Sequence, residues 1–112
     1  MLKVKDLFVN QVEQLREYHF LILYWVATAE SKNAKYNITY VYDDLKYLGV
    51  TRTKQNVVAY IEALATLCFI NLNDESNRKN LYITTYGAKA LELLVKQRAF
   101  TAKPSKFLEG KK

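Results

Sequence analysis

Gly49 to Ile70 reads GVTRTKQNVVAYIEALATLCFI, and its reading decides the fold. Val57, Ile61 and Leu64 recur at i, i+4 and i+7, so three apolar side chains share one helical stripe. The polar start of that helix, TRTKQN, is left free of the stripe. Thr51 or Thr53 can cap it by accepting from N–H groups two or three residues on, which puts Lys54, Gln55 and Asn56 in the first turn. Just before it, YVYDDLKYLGV (40–50) reads as a shorter helix ending at Gly49, with Val41, Leu45 and Leu48 as its apolar face. Just after it, FINLN (69–73) enters a charged turn and returns as NLYITT (80–85). Helix, turn, helix and hairpin is the order of a winged helix-turn-helix.

Outward from there, Arg16 to Glu30 is a helix with Tyr18, Leu21, Ile22, Trp25 and Val26 at helical spacing, the expected floor of the domain. Leu2, Val4, Leu7, Phe8, Val12 and Leu15 give the first residues a looser helical pattern. Ser31 to Lys35 is a polar break, and Tyr36 to Thr39 is expected to add a short strand to the wing. Asp43 and Asp44 fall early in the following helix, where carboxylates suit the positive end of the dipole. The six residues DESNRK (74–79) are expected to form the hairpin tip. Thr84 or Thr85 then caps a last helix carrying Ala88, Leu91, Leu94 or Val95, and Arg98 as a narrow stripe.

The expected class is therefore α+β, mainly helical: a winged helix-turn-helix with a three-helix core, a two- or three-stranded wing, and extra helices at both ends. In segments this gives an N-terminal helical extension over 1–15, the winged-helix domain over 16–86, a dimerisation helix over 87–100 and a flexible basic tail over 101–112. The tail, TAKPSKFLEGKK, holds four lysines and one glutamate after Lys103, counting Lys103 itself. Leu7, Phe8, Val12, Leu91, Leu94 and Val95 make more apolar surface than such a core can cover, so they are expected at a homodimer interface.

Charge and composition narrow the function. Half of the 112 residues are apolar and the net charge is +6, from 17 basic and 11 acidic side chains. A globular domain with that excess suits an anionic partner, for which nucleic acid is the commonest candidate. The single cysteine, Cys68, excludes an internal disulfide and, lying in an apolar run, is expected to be a small buried hydrophobe in a reducing compartment. The longest apolar run, Phe20 to Ala27, is far short of the ~20 residues of a membrane span. Met1 to Asp6 leads into mixed charge, so no signal peptide is expected, and a cytoplasmic, nucleoid-associated location follows.

Catalysis is not expected. His19 has no second histidine or thiol partner with which to build a metal site, and no cofactor motif occurs. Ser31, Ser76 and Ser105 lie in expected loops, outside any nucleophile elbow or phosphate loop. From Lys46 to Tyr60 there are three basic residues and no acid. There, Arg52 and Lys54 can neutralise phosphates, Thr51 and Thr53 can donate to them, and the amides of Gln55 and Asn56 suit adenine edges. Tyr60, Arg78 and Lys79 complete the expected contact set, although Arg78 and Lys79 could equally do no more than solvate a hairpin tip. Tyr36, Tyr40, Tyr42 and Tyr47 could form a stacking platform for single strands, or close the core with their hydroxyls at its rim.

From Tyr18 to Arg98 the chain resembles winged-helix transcription regulators of the MarR and ArsR type, especially the short dimeric regulators and chromatin-associated versions of thermophilic archaea. The resemblance rests on Leu45, Leu48, Gly49 and Val50, on Val57, Ile61 and Leu64, on Phe69 and Ile70, and on Leu81 to Gly87, LYITTYG. It implies a homodimer that binds double-stranded DNA to regulate transcription. A DNA-coating architectural protein and a winged helix that binds protein are the other classes left open. The chain departs from the family at Cys68, where a glycine usually precedes the wing, so a left-handed turn is not expected there. It departs again in the segment from Gly49 to Val57, which is longer than in the commonest form.

Overall fold

The computed structural model describes residues 4–109, with side chains from Leu7 onward. In chain order these are α1 (Val4–Glu13), α2 (Glu17–Ser31), α3 (Ile38–Tyr47), α4 (Lys54–Thr66), β1 (Ile70–Glu75), β2 (Arg78–Ile83), α5 (Thr85–Lys96) and the single turn α6 (Lys106–Glu109). The protein is thus α+β and mainly helical, with a two-stranded antiparallel sheet, an order compatible with a winged helix.

Helix α2 runs through the middle of the molecule and is more than a floor. Phe20, Leu21, Ile22, Leu23, Trp25, Val26 and Ala29 are all buried, which needs neighbours on several sides. Those neighbours are α4, α5, α6 and β2. From α4 come Val57, Ile61 and Leu64, the stripe seen in the sequence, each essentially without solvent contact.

Four helices end in the same way. After α2, α3, α4 and α5 the chain passes through a left-handed residue, namely Asn33 (φ 55°), Gly49 (φ 76°), Cys68 (φ 65°) and Arg98 (φ 52°). In each case that residue's N–H and the next one bond back to the helix. After α3, Gly49 N donates to Lys46 O at 3.0 Å and Val50 N to Leu45 O at 2.9 Å; after α4, Cys68 N donates to Ala65 O and Phe69 N to Leu64 O, both at 2.9 Å. These are Schellman closures, which satisfy the last carbonyls of a helix. Cys68 therefore does take the left-handed conformation, contrary to expectation, because two hydrogen bonds and the burial of Phe69 fix the backbone. It is also exposed, not buried, since the closure turns its side chain outward.

The wing is tighter than DESNRK suggested. Strand pairing continues out to Glu75 opposite Arg78, leaving only Ser76 and Asn77 as the turn. Both have positive φ, 51° and 66°, as a two-residue type I′ hairpin turn requires. The expected strand over 36–39 reduces to one bridge, Asn37 with Asn80, reinforced by Leu81 N donating to Tyr36 O at 2.8 Å. It goes no further because Asn37 caps α3, its Oδ1 accepting from Tyr40 N at 3.1 Å. Thr84 caps α5 by accepting from Gly87 N at 2.8 Å, and it donates to Cys68 O at 2.6 Å. Gly87 lies so close to Phe69 that a Cβ there would come within 1.9 Å of the Phe69 carbonyl oxygen. Only glycine allows α5 to start so close to the α4–β1 connection at Phe69.

The end of the chain is not a flexible tail. Trp25 donates from Nε1 to Lys103 O at 2.7 Å, and Ser105 and Leu108 are buried. Asp44, 2 % exposed, accepts from the Tyr36 hydroxyl at 2.5 Å, from the Ser105 hydroxyl and from Phe107 N at 3.2 Å. Its role is thus to hold α6 against α3, not to complement a helix dipole. Burial, together with the Asp44 carboxylate beside it, pushes the Tyr36 phenol far above its usual pKa. Residues 101–109 therefore belong to the folded body; the last lysines of the tail, Lys111 and Lys112, lie outside the described residues.

Candidate functional site

The polar start of α4 opens at the surface. Thr53 caps it, accepting from Asn56 N at 3.3 Å, and Arg52, Lys54, Gln55 and Asn56 are all exposed. Thr51 is different: it is 5 % exposed, and its hydroxyl is engaged with the Thr53 backbone inside the turn, so it is not available to a phosphate. Tyr60 is half-buried. Its ring stacks on Tyr18 with centroids 3.8 Å apart and planes 19° apart, which holds it against the start of α2.

Lys54, Arg78 and Lys79 come together. They line one groove of about 520 Å³ between the start of α4, the wing and the start of α3. Lys54 reaches across it to donate from Nζ to Thr39 Oγ1 at 3.1 Å. The N–H groups at the capped start of α3 add their partial positive charge to the same wall. Val58 lines the floor, half-buried, while Ala59 is exposed. Farther along α4 the outer face carries Glu62, so positive charge is confined to the first turns.

Of the two wing cations, Arg78 is positioned from behind. Arg78 donates from Nη1 to the Tyr40 hydroxyl at 3.1 Å, with its guanidinium 5.9 Å from the centre of the Tyr40 ring. Tyr40 in turn stacks on Phe107 of α6, with centroids 3.8 Å apart. Sequence reasoning placed Tyr40 only in a general aromatic cluster, and took Phe107 for part of a mobile end. The one available signal was a pair of apolar residues, Phe107 and Leu108, set among lysines.

Half of the residues expected at a dimer interface serve the protomer itself. Val12 and Leu94 are buried in the core, and Phe8 packs between Tyr86 and Phe69, with centroids 4.8 and 6.3 Å away. Helix α1 lies against α5, but of the stripe expected on α5 only Leu94 is buried. What remains outside is Leu7, 48 % exposed, Val95, 54 % exposed, and the half-buried Leu91 one turn before Val95.

His19 accepts from Arg16 N through Nδ1 at 3.0 Å, closing the start of α2. Burial first, and the Arg16 charge second, lower its pKa to about 4, so near neutrality it is a neutral acceptor. Among the described residues no cluster of three or more metal-ligating side chains gathers, and no helix is long and apolar enough to cross a membrane. Comparison with protein-family models, with curated proteins and with solved structures gives no match.

Proposed function

We propose that this chain is a winged-helix protein that binds double-stranded DNA and regulates transcription, with the start of α4 entering the major groove and the wing lying along the backbone. The observation that carries the reading is the convergence of Lys54, Arg78 and Lys79, from a helix and a hairpin far apart in sequence, on one open groove. Cations carried on a helix and a hairpin that meet at one groove lose less freedom on binding phosphates than a diffuse basic surface does, because their placement is set by the fold before binding. Arg52 extends the same face, and Gln55 and Asn56 present amides able to pair with a base edge. Leu7, Leu91 and Val95 supply the contact for a two-fold homodimer, which sets two such helix starts on one face of a duplex.

The roles divide by chemistry. Lys54→Ala should weaken binding to all duplexes alike, because it removes a point charge from phosphate. Gln55→Ala and Asn56→Ala should narrow the gap between preferred and random duplexes, each good amide–base pair contributing about 1–3 kcal/mol. Binding measured by fluorescence anisotropy on a selected site and on random DNA checks this; equal losses on both for all three variants would refute the division.

A further inference from the structure

A second cavity lies on the other side of Arg78, between the α2–α3 connection, the turn end of the wing and α6, with a volume of about 680 Å³. That is within the ~300–1,000 Å³ usual for small-molecule sites. Its walls carry Lys32, Lys35 and Arg78 against one acid, Glu75. The acid is already engaged: the Tyr82 hydroxyl and Asn80 Nδ2 donate to Oε1, the latter at 2.9 Å, and Lys35 lies 3.7 Å from Oε2. An anion entering the cavity therefore meets surplus positive charge. Tyr40 and Phe107, stacked on one another, provide an aromatic side.

Asn80 supplies the independent sign of a ligand. It is 5 % exposed and lines this cavity, and while its Nδ2 donates to Glu75, its Oδ1 is buried with no hydrogen-bond partner. Buried polar atoms are rarely left so, because the lost hydration is not replaced. A donor seated in the cavity would meet that oxygen if the amide turned about its last torsion and gave up its bond to Glu75, which Tyr82 and Lys35 would still hold. A bare phosphate would satisfy the cations but leave the aromatic side and the amide oxygen unused. A purely apolar ligand would leave the cations unused.

We propose that this cavity binds a mononucleotide, with its phosphate among Lys32, Lys35 and Arg78, its base against Tyr40 and Phe107, and an N–H of the base donating to Asn80 Oδ1. The site is distinguishable from the duplex groove by Lys32, Lys35 and Asn80, which take no part in the α4 groove, whereas Asn37, Tyr40 and Arg78 line both.

The test is calorimetric titration of the full chain with the four ribonucleoside monophosphates and, separately, with inorganic phosphate. At least one nucleotide should bind tenfold or more tightly than phosphate. The double variant Lys32→Ala, Lys35→Ala should weaken it at least tenfold while the protein stays folded, since both side chains are exposed and lose only single contacts, Lys32 with Leu108 O and Lys35 with Tyr82 and Glu75. Absence of nucleotide binding up to ~10 mM, a Kd weaker than the millimolar range, would overturn the proposal. Equal affinity for nucleotide and phosphate would reduce the cavity to an anion site. Binding by a short single-stranded oligonucleotide alone, or a double variant as tight as the wild type, would equally overturn it.

Discussion

Cys68 holds a left-handed backbone, φ 65°, in a position where most chains place glycine. For a side chain with a Cβ that conformation costs about 1 kcal/mol, and Cys68 recovers little of it, since its exposed Sγ has only a 3.9 Å contact with Thr66 O. Cys68→Gly should raise stability by roughly 0.5–1 kcal/mol, part of the relief being offset by the freedom glycine gains in the unfolded chain. Chemical denaturation checks this; a loss of stability would mean that the cysteine side chain contributes packing its exposure does not show. His19 makes the complementary point about pH. Its pKa, lowered to about 4 from an ordinary 6.5, means that the unfolded chain takes up the proton first as pH falls. Stability is then complete above pH 6.5 and is lost between there and pH 4. With the ring partly solvent-facing, the loss from pH 7 to 5 should be about 1 kcal/mol. As the chain has one histidine, its imidazole resonances can be followed without ambiguity, and a midpoint near 6.5 would contradict the buried-acceptor role.

Among the elements, α6 is the one whose removal tests most. Truncation after Phe100 takes away Ser105, Phe107 and Leu108, leaves the buried Asp44 with a partner on one side only, and uncovers Tyr40. Loss of Leu108 burial alone is worth about 2 kcal/mol, and an under-paired buried carboxylate adds to it. The truncated protein should therefore melt several degrees lower, and a variant with unchanged melting temperature would show α6 to be a loosely held end. This element was illegible in the sequence for a physical reason: what fixes it is a carboxylate 61 residues away, and no local pattern records such a pairing. The helices over 16–31 and 54–66 were legible because their apolar spacing reports directly on the face they bury. The wing was legible as a hairpin but not in its turn, since Ser-Asn at positive φ is a weaker signal than Asn-Gly. Thr51 and Thr53 are alike in composition, and only the tertiary turn decides that one is buried and the other caps.

Across the whole molecule, half of the hydrophobic surplus that suggests a dimer is absorbed within one protomer, by the burial of Val12 and Leu94 and the packing of Phe8 on Tyr86 and Phe69. Leu7, Leu91 and Val95 are what a partner copy can still use, so the dimer should be weak and sensitive to Val95→Asp, a change at a side chain that is more than half exposed. Sedimentation should show that variant as a monomer with an unaltered fold, and an unaltered association constant would rule out this face. The central claim is narrower: Lys54, Arg78 and Lys79 act together as one phosphate-binding groove. Its most direct test is the salt dependence of duplex binding by the wild type and by the triple alanine variant. Each phosphate contact contributes roughly 0.9 to the slope of log affinity against log salt, so the variant's slope should be shallower by about 2.7. A wild-type affinity indifferent to salt, or equal slopes for the two proteins, would contradict it.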